Sequence, residues 1–149
     1  ARAAALAAEL PEAELLADWP DGRLKQRLIA RTLAVRRADP GLFARGQWLA
    51  LAGRGRRSAQ IFAAARRLDG RGVLFAGLHR AAGLLIGGER ALVPPAAVWG
   101  DTVLLLPKPL HGRRWRSALD AELPSLTGAT IPAGVLFARW PVAVLTNGG

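Results

Sequence analysis

Acid–base catalysis by a carboxylate pair requires two acids held close together, one of them often in a dry pocket. The chain has 11 acidic residues. Glu9, Glu12, Glu14, Asp18 and Asp21 crowd its front, where they suit helix caps and surface positions. Farther on stand Asp69, Glu89, Asp101, Asp120 and Glu122. Asp69 reads as a turn residue. Asp101 falls inside an expected strand over 98–106, either facing outward or pairing with an arginine. No serine lies in a Gly-x-Ser-x-Gly elbow, so Ser58, Ser117 and Ser125 give no triad with His79 or His111. With no cysteine present, thiolate nucleophiles, thiolate metal sites and disulfides are excluded. The two histidines lack metal-ligand spacing and read as surface or packing residues. Gly53-x-Gly55 and Gly70-x-Gly72 lack the third glycine, the following helix and the lysine of a nucleotide loop. The sequence therefore offers no catalytic residues, no metal site and no cofactor site.

The remaining chemistry is that of indoles and guanidiniums. Trp19, Trp48, Trp99, Trp115 and Trp140 stand in a chain without tyrosine. Such rings fill cores, or offer flat faces to sugars. Two basic clusters, Gly53-Arg54-Gly55-Arg56-Arg57 and Arg113-Arg114-Trp115-Arg116, have the composition of phosphate contacts. Net charge is +10, and every basic residue except Lys25 and Lys108 is arginine. Alanine, leucine, glycine and arginine dominate throughout, a signature of biased codon supply in which arginine takes lysine's place on ordinary surfaces.

The elements that carry these residues divide near residue 44. Ala3–Leu10 is a run of helix formers. Pro11 opens a second short helix over 12–19, and Trp19-Pro20-Asp21-Gly22 makes a turn. Residues 23–37 form the clearest helix, with Leu24, Leu28, Ile29, Leu33 and Val35 on or near one face, and Asp39-Pro40-Gly41 ends it. From Gly46 onward the period shortens. A strand is expected over 47–52. Residues 60–67 and 72–79 pair around Asp69-Gly70, a strong hairpin signal. Short apolar runs at 84–86 and 92–93 flank Gly87-Gly88-Glu89. A last strand covers Val142–Leu145, while 107–113 and 123–131 read as loops. Many short strands cut by glycine and proline point to a β-sandwich. No apolar run is long enough to span a bilayer, and Ala1–Leu10 does not have the form of a signal peptide.

Several segments in order resemble one family. Trp19-Pro20-Asp21-Gly22-Arg23-Leu24-Lys25 and Leu33-x-x-Arg36-Arg37-x-x-Pro40-x-Leu42-Phe43-x-x-Gly46 look like the end of the catalytic barrel in the α-amylase superfamily of glycoside hydrolases. Trp99-Gly100-Asp101-Thr102, Gly112-Arg113-Arg114-Trp115-Arg116 and the closing Leu136–Leu145 segment are most similar to the malto-oligosyltrehalose synthases within it. The chain departs from their pattern at Gly46-Gln47-Trp48, His79-Arg80 and Ser117.

The resemblance implies an α+β piece. Residues 1–45 would be the last helices of a TIM barrel, and 46–149 an antiparallel all-β sandwich. The catalytic acids of that family lie upstream, and a whole barrel needs about 200 residues or more. The chain alone is thus expected to be non-catalytic, with the missing barrel of the same polypeptide as its partner. The intact enzyme would rearrange the reducing-end α-1,4 bond of a malto-oligosaccharide to α,α-1,1, in the cytoplasm, without metal or nucleotide. Trp19, Asp21, Arg23 and Lys25 become candidates for a barrel junction or sugar contact. The apolar face of residues 23–37 should lie against the barrel. The alternatives are a free-standing carbohydrate-binding sandwich and, after it, a basic nucleic-acid-binding domain. No membrane partner is expected.

Overall fold

The computed structural model describes residues 11–85 and 91–148. The expected helix at Ala3–Leu10 and the Ile86-to-Glu89 segment lie outside them. The chain begins with helix α1 (Glu12–Ala17), a 3-10 turn (Trp19–Asp21), α2 (Arg23–Ala38) and α3 (Pro40–Arg45). Strands β1 (Gln47–Ala50), β2 (Gly53–Arg54), β3 (Ile61–Leu68), β4 (Arg71–Leu78), β5 (Val103–Leu105), β6 (Arg116–Ser117) and β7 (Thr130–Pro132) follow. A helical turn α4 (Ala133–Leu136) and β8 (Val142–Asn147) complete the chain.

All strand pairs are antiparallel. A five-stranded sheet runs β1-β3-β4-β8-β6, and a three-stranded sheet runs β2-β5-β7. The β3–β4 hairpin turns on Asp69 and Gly70, with φ of 46° and 88°. Two positive φ values in a two-residue loop give the type I′ geometry that the twist of a hairpin favours, and Asp-Gly supplies it at low steric cost.

Side chains alternate across a strand, and here both sides are apolar. On β4, Leu74 and Ala76 face a core shared with Leu104 and Ile131 of the smaller sheet. Trp99, Leu110, Trp115, Leu136, Phe137 and Leu145 fill the rest of that core. Val73 and Phe75 face the other way, as Val144 and Val142 of β8 do, onto Leu42 and Phe43 of α3 and Leu28 and Val35 of α2. The result is three layers: helices, large sheet, small sheet. Among the described residues no helix is long and apolar enough to cross a membrane.

The structure corrects several expectations. The 98–106 stretch is not one strand. Ala96–Trp99 forms a 3-10 turn, Gly100 has φ 50°, and only Val103–Leu105 pairs. Asp101 is exposed in that turn rather than held within a strand. The basic 53–57 loop begins as β2, and the 123–131 loop ends in β7. The stripe on α2 also divides. Leu24, Leu28 and Val35, spaced i, i+4 and i+11, pack on this chain's own layers. Ile29 and Leu33 lie round the helix and remain 50% and 42% exposed.

The layering gives a direct test by chemical denaturation. Leu74→Ala, at a fully buried position touching the inter-sheet core, should cost about 2–5 kcal/mol. Phe62→Ala, at a position 61% exposed, should stay within about 0.5 kcal/mol of wild type.

Candidate functional site

The turn between α1 and α2 brings Trp19, Asp21 and Arg23 together. Gly22 is left-handed (φ 85°) and swings the chain from one helix to the next. The Asp21 Oδ1 accepts a hydrogen bond from the backbone N–H of Arg23 at 2.8 Å, which caps the first turn of α2. The Arg23 guanidinium bonds the other Asp21 oxygen and lies 3.7 Å from Glu14 and 3.8 Å from Asp18. The backbone N–H of Arg23, and then its guanidinium, hold the Asp21 carboxyl below its ordinary range. The same pairing raises Arg23. Trp19 packs with Leu15, Leu24, Leu28 and Trp140 in a small cluster of its own. Arg23 is thus surrounded by carboxylates of its own chain, and the group does the work of a helix corner.

Lys25 lies apart from that corner. It lines an apolar groove between α2 and the large sheet, with Ile29, Leu33, Phe62, Phe75 and Val142. The groove holds about 520 Å³. The four candidates therefore form two places, a junction and the mouth of a groove.

Sequence reading missed the arginine that ties the junction to the sandwich. Arg139 donates to Glu12 at 2.9 Å and to Asp120 at 3.3 Å, and it also pairs with Glu122. The Trp140 indole N–H donates to the same Glu12 oxygen at 2.6 Å. Glu12 is 127 positions from Arg139. The sequence marked this stretch only as part of the closing Leu136–Leu145 segment, and nothing in its spacing pointed to α1.

Among the described residues the acids are accounted for without a catalytic pair. Glu14, Asp18 and Asp21 meet Arg23, while Glu12, Asp120 and Glu122 meet Arg139. Asp39 accepts from the Leu42 N–H at 3.0 Å and pairs with Arg71 at 2.7 Å. Asp69 makes the hairpin turn, and Asp101 is exposed. His79 is exposed, and a ring nitrogen of His111 lies 2.6 Å from the Leu106 carbonyl. No group of three metal-ligating side chains converges among the described residues.

Three of the indoles are sealed in the interior: Trp99, Trp115 and Trp140. Trp48 is 53% exposed, with the Arg66 guanidinium 5.5 Å from its ring centre. A row of indole platforms for sugar is not assembled. Gly53-x-Gly55 is structural as well. A Cβ on Gly55 (φ 104°) would stand 2.7 Å from the Thr102 Cα, and the Arg57 N–H donates to the Thr102 hydroxyl at 3.1 Å.

With this geometry in hand, comparison with solved structures gives a likeness to a part of a longer enzyme. A solved structure of a mutant maltooligosyltrehalose synthase from Arthrobacter ramosus superposes with a TM-score of 0.62 at 26% identity. The match covers 85% of this chain and 14% of that one. No protein-family model and no curated protein matches the chain. The fold is thus related to that of a small part of a much longer enzyme.

The corner makes a pH prediction. The Asp21 carboxyl should titrate below the ordinary 3.8, followed by its side-chain NMR shift. Because its folded pKa is lowered, its stabilisation is present above the ordinary value and is lost as pH falls through the folded one. Arg23→Ala should move the titration upward. An unchanged midpoint would mean that the guanidinium does not hold the carboxylate.

Proposed function

We propose that this chain is the C-terminal, non-catalytic part of a larger enzyme of the malto-oligosyltrehalose synthase type. In this reading residues 1–45 are the last helices of the catalytic barrel, and residues 46–149 are the β-sandwich that braces it. The observation that carries the reading is the 0.62 TM-score over 85% of this chain against 14% of the longer one. The order of the motifs from Trp19-Pro20-Asp21-Gly22 to the closing Leu136–Leu145 segment supports it.

Two features of the structure agree. The acids of the described residues are committed to Arg23, Arg139, Arg71, a turn or solvent, so no carboxylate pair is free to work on a glycosidic bond. The groove beside α2 is almost wholly apolar and leaves Ile29, Leu33 and Phe62 partly uncovered, as a surface that meets another body would. The upstream barrel of the same polypeptide is the partner we assign to it. Trp19, Asp21, Arg23 and Lys25 then lie at or near the barrel junction.

The intact enzyme would convert the reducing-end α-1,4 bond of a malto-oligosaccharide to an α,α-1,1 bond by intramolecular transfer, as a step of trehalose formation in the cytoplasm. The reading needs no metal or nucleotide. The catalytic acids belong to the barrel, and this chain's share is mechanical: to fix the last helices against a rigid sheet.

Incubating the 149-residue chain with maltopentaose and counting reducing ends tests the division of labour. The reducing ends should stay constant. Their loss, with release of a non-reducing product, would show that this chain carries its own catalytic acids and would overturn the proposal.

A further inference from the structure

One recess is untouched by the role above. At one end of the five-stranded sheet, the β3–β4 turn, the start of β6 and the end of β8 meet. Gly70, Gly112, Arg113, Arg114, Arg116 and the Thr146–Gly148 tail enclose about 660 Å³ there, within the range of ligand pockets, roughly 300–1,000 Å³. Among the described residues no carboxylate lines it.

The sequence explains why the arginines gather. Trp115 is fully buried in the inter-sheet core, and strand alternation turns Arg114 and Arg116 the opposite way, where both are exposed. Neither has a carboxylate partner among the described residues. Arg113 is half-buried and tethered. Its Nη1 donates to the Gly70 carbonyl and its Nε to the Pro109 carbonyl at 3.3 Å. Beside them Asn147 is only 7% exposed. Its Nδ2 donates to the Gly70 carbonyl at 3.4 Å, while its Oδ1 is buried and turned toward Gly72, 2.8 Å from where a Cβ there would stand. The Thr146 hydroxyl belongs to the same lining.

Guanidiniums around one recess repel one another until an anion arrives, and their fork geometry suits phosphate oxygens. A phosphomonoester carries close to two negative charges at neutral pH, a better match to this cluster than a single carboxylate. Nucleic acid fits less well, because the only indole of the cluster, Trp115, is buried and offers no stacking face.

We infer that this recess binds a phosphomonoester, with the phosphoryl group held by Arg113, Arg114 and Arg116. The site does not depend on the barrel-bracing role.

The test is an NMR titration of the 149-residue chain with glucose 6-phosphate, inorganic phosphate, glucose and a short single-stranded DNA. Glucose 6-phosphate and inorganic phosphate should each shift the amides of Gly70, Gly112 and Gly148, and glucose should have no effect. The wild-type shift map locates the site without any variant. Arg114→Gln with Arg116→Gln should weaken binding about tenfold or more, through the lost charge-assisted bonds. Arg54→Gln with Arg56→Gln, in the other basic cluster, should leave it unchanged. Three results would each overturn the inference: no saturable shift with glucose 6-phosphate at millimolar concentration, equal weakening by both double variants, or preferential binding of the DNA at these arginines.

Discussion

Strands β4 and β8 are apolar on both faces, and a sheet built around them must be covered twice. Val73-Leu74-Phe75-Ala76 and Val142-Ala143-Val144-Leu145 pair with one another in register, so their alternating side chains form two continuous apolar surfaces. One surface is closed by the small sheet with Trp99, Trp115 and Phe137, the other by α2 and α3. At an order of 25 cal/mol for each Å² of apolar surface, leaving either face wet would cost more than a domain's net stability. The helices are therefore part of the sandwich's own packing. The incomplete closure beside α2, where Ile29, Leu33 and Phe62 remain in contact with solvent, is the part of that cover the described residues do not supply.

The arginine-rich composition acquires a structural meaning in this arrangement. Arg31 donates to the Leu119 carbonyl, Arg66 to the Phe43 carbonyl at 2.8 Å, and Arg71 to Asp39 at 2.7 Å. Arg139 reaches Glu12. Each of these links a helix or its flank to the β layers. Four long side chains thus act as ties across the helix–sheet boundary, where guanidinium forks meet carbonyls and carboxylates that apolar packing would leave unpaired. The +10 charge is accordingly an uneven guide to function. Part of the basic character goes into architecture, and the cluster at Arg113, Arg114 and Arg116 differs in gathering three guanidiniums round one recess.

The features that were legible in the sequence are those set by local chemistry. The Asp69-Gly70 hairpin, the 16-residue α2, its stop at Asp39-Pro40-Gly41, and the last strand all follow from turn residues and hydrophobic period. The short strands β2, β6 and β7, two or three residues each, carry too few alternations to register as a pattern. Asp101 was misplaced although its signal is local. Gly100-Asp101 interrupts the apolar residues of Val98–Leu106 as a turn pair would, and the structure turns there, with Gly100 at φ 50°, before β5 begins. The division of the α2 stripe and the reach of Arg139 to Glu12 depend on which surfaces meet, and local spacing does not encode that. The candidate corner at Trp19, Asp21 and Arg23 was legible as a turn, but its neutralisation by Glu14 and Asp18 emerges only when α1 folds back on it.

The central claim is that this body braces a catalytic barrel carried by the same polypeptide. The most direct measurement is the size of the native polypeptide in source cells, detected with an antibody raised against this chain. A band several times larger than 15.8 kDa is expected. A native band at 15.8 kDa would contradict the claim and leave the sandwich as a free-standing protein.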